Sequence, residues 1–449
     1  MRKTISLAIF LCAASAAFAA EAAPRDIDIF SAPDGEIGIC AMNAAADMRE
    51  ASVWLMSSPN QKLFVRLEPS NMLAPKTVSA NKDGIALVKF EALKPGTKYS
   101  YKISASEDGK NAFEGSFKTS PDYEGRFAPP PFKIAILGKT HRNDPVYDEP
   151  FKTPGGGYEI FGAVKNQKPD AIVWAHNAAI LRPSDWGSRG GIFARYRAER
   201  ADPALKEMLV CAPNYGVMSA DAYGAPGSDK SLWNRRDAVE AFKSFWGNPS
   251  FGVGSQENLA TYFRFSDVDV FILDDATNRN NLDYKNSRPE MFGEEQLNWL
   301  ALALKNSKAK FKLVISNSPI TNPVEAKGNF AFYKRERKYL LDFLLENKIG
   351  GVVFVSANKD YGEITRMQRA GAYRLLEITA GPATARPAQT PTEMNFFRAS
   401  GTLVTERSFA TITFEGEEGD RRLKIEAFNS AGKNLLTETV KASELYLFE

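Results

Sequence analysis

The sequence predicts two domains, an all-β module followed by an α/β core, and three observations carry that prediction. Residues 25–120 read as short alternating segments separated by turns, with no long helical pattern. A proline-rich stretch, 121–131, ends in Pro129-Pro130-Pro131 and favours an extended spacer. From Phe132 to the end at residue 449, strand-like and helix-like segments alternate, the pattern of strands whose faces are covered by helices.

The elements follow in order. Residues 1–20 carry Arg2 and Lys3, an apolar run from Ile5 to Phe18 and small residues around Ala17-Phe18-Ala19, the pattern of a cleaved export signal. The expectation is a periplasmic or secreted protein, and no later apolar run is long enough to span a bilayer. In the β module, Ala51 to Met56 and Ile85 to Phe90 read as strands. Leu93 to Ile103 puts a Pro95-Gly96 turn before a strand whose Tyr99, Tyr101 and Ile103 share one face. That stretch resembles the corner of fibronectin type III and immunoglobulin-like sandwiches, with Tyr99 placed like the corner tyrosine.

In the core, Ile134 to Leu137, Ala171 to Trp174, Tyr262 to Phe265, Val268 to Leu273, Phe311 to Ile315 and Val352 to Val355 are predicted strands. Tyr158 to Asn166, Glu294 to Lys305 and Arg335 to Asn347 are predicted helices, and the run Lys334 to Lys338 reads as a solvated helix face. After Gly401 the pattern returns to β hairpins. Met208-Leu209-Val210 reads as strand-like, so Cys211 is expected as a buried free thiol and not as a bridge to Cys40.

Charge excludes some partners. Of 57 Lys and Arg, removal of Arg2 and Lys3 leaves 55 against 54 acidic residues, so neither nucleic acid nor an anionic membrane surface is implied. His141 and His176 are the only histidines, too few for an ordinary His-rich binuclear metal site.

Six segments, spread in order along the chain, carry a resemblance: Gly156 to Phe161, Lys168-Pro169-Asp170, Phe245 to Ser250, Leu273-Asp274, Gly293 to Leu300 and Gly401 to Arg407. Together they resemble the alkaline phosphatase D family of metallophosphoesterases. The resemblance implies a four-layer αββα metallophosphoesterase-like sandwich core behind an N-terminal immunoglobulin or fibronectin III-like domain. It also implies a binuclear metal site on loops after four strands.

At those loops the reactive side chains differ from the family pattern. A Ser-Cys pair is replaced by Lys139-Thr140-His141 after Gly138. A Gly-Asp-Asn with a following Tyr falls on His176, Asn177, Ala178 and Ile180. A Trp-Asp-Asp-His-Asp motif falls on Met218, Ser219, Ala220, Asp221 and Ala222, and Ser-Gly-Asp-x-His falls on Ser356, Ala357, Asn358, Lys359 and Asp360. In the Leu-Asp-x-Arg context, Asp274 keeps a structural acid and Ala276 stands at the arginine. Two metals some 3.5 to 4 Å apart need a bridging ligand and anionic or imidazole donors to activate water, which an amide, alanines and ammonium groups do not supply. Lys139 and Lys359 are expected to act as counter-charges to Asp221 and Asp360.

The expectation is therefore an exported, catalytically inactive phosphatase homologue without a cofactor, binding an unknown protein, glycan or phosphorylated ligand. One alternative is an alkaline phosphatase or phosphodiesterase holding a single Ca or Mg ion through Asn177, Asp221, Asn358 and Asp360. The other is a structural or assembly component of the cell envelope.

Overall fold

The computed structural model describes residues 38–69, 75–148, 154–177, 179–282, 287–391 and 393–446. The export segment, the first residues of the β module and Ala178 lie outside the described residues.

Seven strands build the first module: β1 (Cys40–Ala46), β2 (Ala51–Met56), β3 (Lys62–Glu68), β4 (Lys76–Ser79), β5 (Ile85–Phe90), β6 (Lys98–Ser104) and β7 (Phe113–Lys118). They form two sheets, of order β1-β2-β5 and β4-β3-β6-β7. Alternation decides what each strand buries: Tyr99, Tyr101 and Ile103 of β6 enter one core with Val53, Leu55 and Val65. The Tyr99 hydroxyl accepts the Lys94 amide at 2.9 Å, tying the turn to its strand.

The β1-β2-β5 sheet is buried on its other face too. Met42, Trp54 and Met56 join the core of the second domain, and the Trp54 indole donates to the Ser244 carbonyl at 2.7 Å. The two domains thus share an apolar interior.

The second domain holds two six-stranded sheets. One contains β8 (Phe132–Leu137), β9 (Ala171–Trp174), β10 (Asn214–Gly216), β17 (Ser408–Glu415), β18 (Arg422–Asn429) and β19 (Asn434–Lys441), in the order β10-β9-β8-β17-β18-β19. The other contains β11 (Thr261–Phe265), β12 (Val268–Ile272), β13 (Phe311–Ile315), β14 (Val352–Ser356), β15 (Glu363–Met367) and β16 (Leu375–Thr379), in the order β11-β12-β13-β14-β16-β15. Strands β8, β9 and β10 are parallel, as are β12, β13, β14 and β16.

The helices are α1 (Ile160–Asn166), α2 (Arg189–Arg200), α3 (Lys206–Leu209), α4 (Ala220–Tyr223), α5 (Arg235–Phe245), α6 (Glu294–Asn306) and α7 (Lys334–Glu346). Three apolar layers separate four layers of structure. Phe132, Ile134 and Ile136 of β8 pack between the sheets against Val270, Leu313 and Val353, while Ala135 and Leu137 face α1, α2 and α5. On the far side, Val314 and Phe354 meet Leu300 of α6 and Leu340 of α7. Strands buried on both faces read as unbroken apolar runs, which is why they are visible in the sequence.

Two local expectations change. Met208 and Leu209 belong to the short helix α3, and Val210 after it packs on the first module. Cys40 and Cys211 are both free thiols, each pushed up to about 11 by burial. In the run Lys334 to Lys338, Glu336 is buried because α7 packs at the start of α6. Its carboxylate accepts the backbone amides of Met291, Phe292 and Gly293. No helix among the described residues is long and apolar enough to cross a membrane.

Candidate functional site

The carboxyl ends of the parallel strands of both sheets converge, and the seven segments leaving them are bonded into a closed ring. The segment after β8 meets that after β9 through Asp148 and Arg182 at 3.5 Å, and the next step is the Leu181 amide on the Asp221 carbonyl at 2.9 Å. The Lys230 amide donates to the Arg279 carbonyl at 2.8 Å, joining the segments after β10 and β12. Arg279 Nη2 reaches Ser318 Oγ at 2.9 Å, and the Asn358 amide reaches the Asn317 carbonyl at 2.8 Å. The Ala388 amide on the Asp360 carbonyl, at 2.7 Å, and the His141 amide on Thr384 Oγ1, at 2.8 Å, complete the circuit. Gly138 sits at a close approach in this ring: a Cβ there would lie 2.1 Å from the Gly381 carbonyl oxygen.

Within the mouth so formed, Lys139 Nζ lies 3.0 Å from Asp360 Oδ1, bridging the segments after β8 and β14. His176 is buried, and its Nε2 lies 3.0 Å from Asp221 Oδ2. Burial alone raises the Asp221 carboxyl. The His176 hydrogen bond, reinforced by Lys139 and Arg279, more than reverses this and holds it well below the usual carboxylate range. Lys139 is thus the counter-charge of both Asp360 and Asp221. Lys359, expected to share that role, turns instead to Glu393 at 2.7 Å, whose other oxygen accepts Asn329 at 3.0 Å.

The remaining positions fall around this pair. Asn177 is buried, with its oxygen accepting the Trp246 indole at 3.1 Å and its amide on the Tyr196 hydroxyl. The Ile180 carbonyl accepts Arg195 Nε at 3.1 Å, and Thr140 is buried beside Lys139 in the chain. Ala220 and Ala222 lie on α4, preceded by the buried Ser219. Asp274 accepts the amides of Leu259, Ala276 and Thr277 at 2.9 to 3.0 Å, so it braces the turn that carries Ala276. His141 lies apart from His176, its Nε2 3.2 Å from Asp148 within a group formed by Asp144, Arg182 and Asp185.

Three contributors escaped the sequence reading. Arg279 lies three residues beyond Ala276, across a turn, and that shift from the family pattern was the available signal. It pairs with Asp275 at 3.4 Å and acts on Asp221. Asp275 is buried, and burial raises its carboxyl despite Arg279 and Ser318. Asn317 and Glu393 had no sequence signal. His176 Nδ1, Ser219 Oγ, Asp275 Oδ1 and Asn317 Oδ1 are all buried without a hydrogen-bond partner among the described residues, a concentration of unsatisfied polar atoms beneath the mouth.

The donor set does not fit a pair of divalent cations. Among the described residues no group of three or more His, Cys, Asp and Glu side chains is arranged so that it could hold a metal ion, the position expected to bridge is an amide held by two aromatic side chains, and an ammonium group occupies the contact to Asp360.

Residues 224–427 match the family model of PhoD-like phosphatase. Among solved structures, that of PhoD is similar at a TM-score of 0.70 and 12% identity, covering 89% of this chain and 92% of that one. The purple acid phosphatase PPD1 from seeds of yellow lupin (Lupinus luteus) is similar at a TM-score of 0.65 and 13% identity, covering 89% and 74%. These likenesses show the metallophosphoesterase-like α/β fold. No curated protein matches the chain.

Proposed function

We propose that this chain is an exported PhoD-like phosphatase homologue that does not hydrolyse phosphate esters and acts by binding a ligand or partner at its mouth. One observation carries the reading: the Lys139 ammonium 3.0 Å from Asp360, on two of the loops where metal ligands would be required. A cation bound there would face like charge, and the water-activating step of two-metal hydrolysis would lose its electrophile. His176 supports the same reading, since its Nε2 is engaged by Asp221 and its other ring nitrogen is buried. The N-terminal module is read as immunoglobulin or fibronectin III-like on the Tyr99 corner contact, and as a fixed part of the scaffold.

The test is hydrolysis of aryl phosphate mono- and diesters by purified protein with Fe, Ca, Mg, Mn or Zn added, beside Asp221→Ala and Asp360→Ala. The expected result is no turnover above the protein-free rate in any of the three. Metal-dependent turnover that either substitution abolishes would overturn the reading. Export is tested by fusing residues 1–24 to a reporter that is active only outside the cytoplasm, with an inactive fusion counting against it.

A further inference from the structure

A cavity of about 300 Å³ opens between the two sheets of the second domain, lined from one side by β15 and β16 and from the other by β19 and the turn Ala442–Leu445. Strand direction places it opposite the mouth. Leu376 stands at the amino end of β16, and the register of β19, β18 and β17 aligns Val440 with Phe132 at the amino end of β8. The parallel strands leave from this end and reach the mouth at the other. The volume is that of a small-molecule site.

Alternation along the strands sets the polar wall. Arg366 of β15 is opposite Leu376 of β16, and two residues further out Gln368 and Arg374 face the cavity as well. Arg374 Nε lies 3.5 Å from Gln368 Oε1, so the pairing continues past the strand ends. Arg366 and Arg374 are therefore diagonal neighbours across an antiparallel pair, about 7 to 8 Å apart at the backbone, close enough for two long side chains to hold one group. The buried Leu376, Val440 and Leu445 supply apolar surface. Tyr373 and Tyr446 also line the cavity, with hydroxyls already engaged: the first accepts the Val352 amide at 3.3 Å and the second donates to the Lys310 carbonyl at 2.7 Å.

Three charged side chains line the cavity, Arg366, Arg374 and Glu444. Outside it, Glu438 takes Arg366 Nη2 at 2.8 Å, which leaves Arg366 Nε and Nη1 without an acceptor among the described residues. Arg374 has no ion-pair partner among them, and Glu444 spends one oxygen on the Lys441 amide at 2.9 Å. Lys312, its ammonium on two backbone carbonyls and 6.0 Å from the Tyr446 ring, adds positive charge beyond the wall. The open valences are thus the N–H groups of two guanidinium forks against one carboxylate oxygen. Such forks match a carboxylate, the single acid in the wall opposes the second charge of a phosphate dianion, and the leucines and valine suit a carbon body. We propose that this cavity binds a small monocarboxylate with an apolar body, its carboxylate held by Arg374 and Arg366 and its body placed against Leu376, Val440 and Leu445. The site is separate from the mouth and does not depend on whether the mouth is catalytic.

The test is isothermal titration calorimetry of the purified full chain with phenylacetate and octanoate, beside phenylacetamide and inorganic phosphate. At least one of the two carboxylates is expected to bind saturably, with phenylacetamide and phosphate weaker by about tenfold or more. Arg374→Gln, at an exposed position outside the strands, should weaken the carboxylate by more than about tenfold and leave the circular dichroism spectrum unchanged. Arg49→Gln removes the same charge from an exposed position in the first module and should leave the affinity as it is. No saturable binding of either carboxylate at millimolar concentration, phosphate or phenylacetamide bound as tightly, or an affinity unchanged in Arg374→Gln would each overturn the assignment, the last by placing the ligand elsewhere, the mouth included. Equal weakening in Arg49→Gln would overturn it too. An Arg374→Gln chain whose circular dichroism shows unfolding is replaced by Arg374→Lys, which keeps the charge and loses the fork, and a dissociation constant equal to wild type in that variant would also count against the site.

Discussion

The two histidines sit one ring segment apart and have opposite surroundings. Around His141, the acids Asp144, Asp148 and Asp185 close on Arg182, whose guanidinium makes bonds of 2.7 and 3.2 Å to Asp185 and one of 3.5 Å to Asp148. Around His176, the pair with Asp221 adjoins four buried polar atoms that lack a partner among the described residues. A satisfied network holds a loop in one conformation. An unsatisfied one costs folding energy and persists where the site answers to something other than stability. That difference makes the His141 side the braced one and leaves the His176 side as the place where, on the proposed function, a ligand would supply the missing partners.

The largest expected effect comes from breaking the scaffold side. Arg182→Met leaves three buried carboxylates facing one another without a cation and should cost about 3 to 5 kcal/mol in urea unfolding. A loss under about 1 kcal/mol would mean that the group is not the brace described.

Next is the pH dependence of His141. Burial first, then Arg195, outweighs the upward pull of Asp148 and lowers the ring from its ordinary 6.5 to about 4. The unfolded chain therefore takes up a proton that the folded one refuses between those values. Stability is retained above pH 6.5 and is lost as pH falls toward 4, by on the order of 3 kcal/mol from this group. Asp148, held below its usual range, adds to the loss at the acid end. Unfolding midpoints of His141→Asn should follow a flatter slope between pH 6.5 and 4, and a slope equal to that of wild type would refute the assignment.

The smallest effect should come from the mouth. Asp360 is half exposed, and Asp360→Asn should change stability by less than about 1 kcal/mol, even though it removes the partner of Lys139. An effect as large as that of Arg182→Met would erase the distinction between the two sides.

The fold was largely legible because both sheets contain parallel strands buried on two faces. The run Val352 to Val355 is apolar without interruption, Phe311 to Ile315 is broken only by Lys312, and helices with one apolar stripe lie between the strands. The Met208-Leu209-Val210 segment misled because three apolar residues in a row fit a buried strand or one turn of helix equally well. At the mouth, sequence register located Lys139, His176, Asp221 and Asp360, which all sit within five residues of a strand's end. Arg279 and Glu393 were invisible because they arrive from further along long segments, where three-dimensional closure and not spacing decides the partner. The same cause sent Lys359 to Glu393 when its neighbour in sequence, Asp360, took Lys139.

The central claim is that protein charges stand where this fold would otherwise require metal-binding donors. Its most direct test is the metal content of the purified, folded protein by mass spectrometry after incubation with Fe, Zn, Mn, Mg and Ca and removal of unbound ions. The account predicts far less than one ion per chain, unchanged in Asp221→Ala. Two ions per chain, lost together in Asp221→Ala or Asp360→Ala, would contradict it.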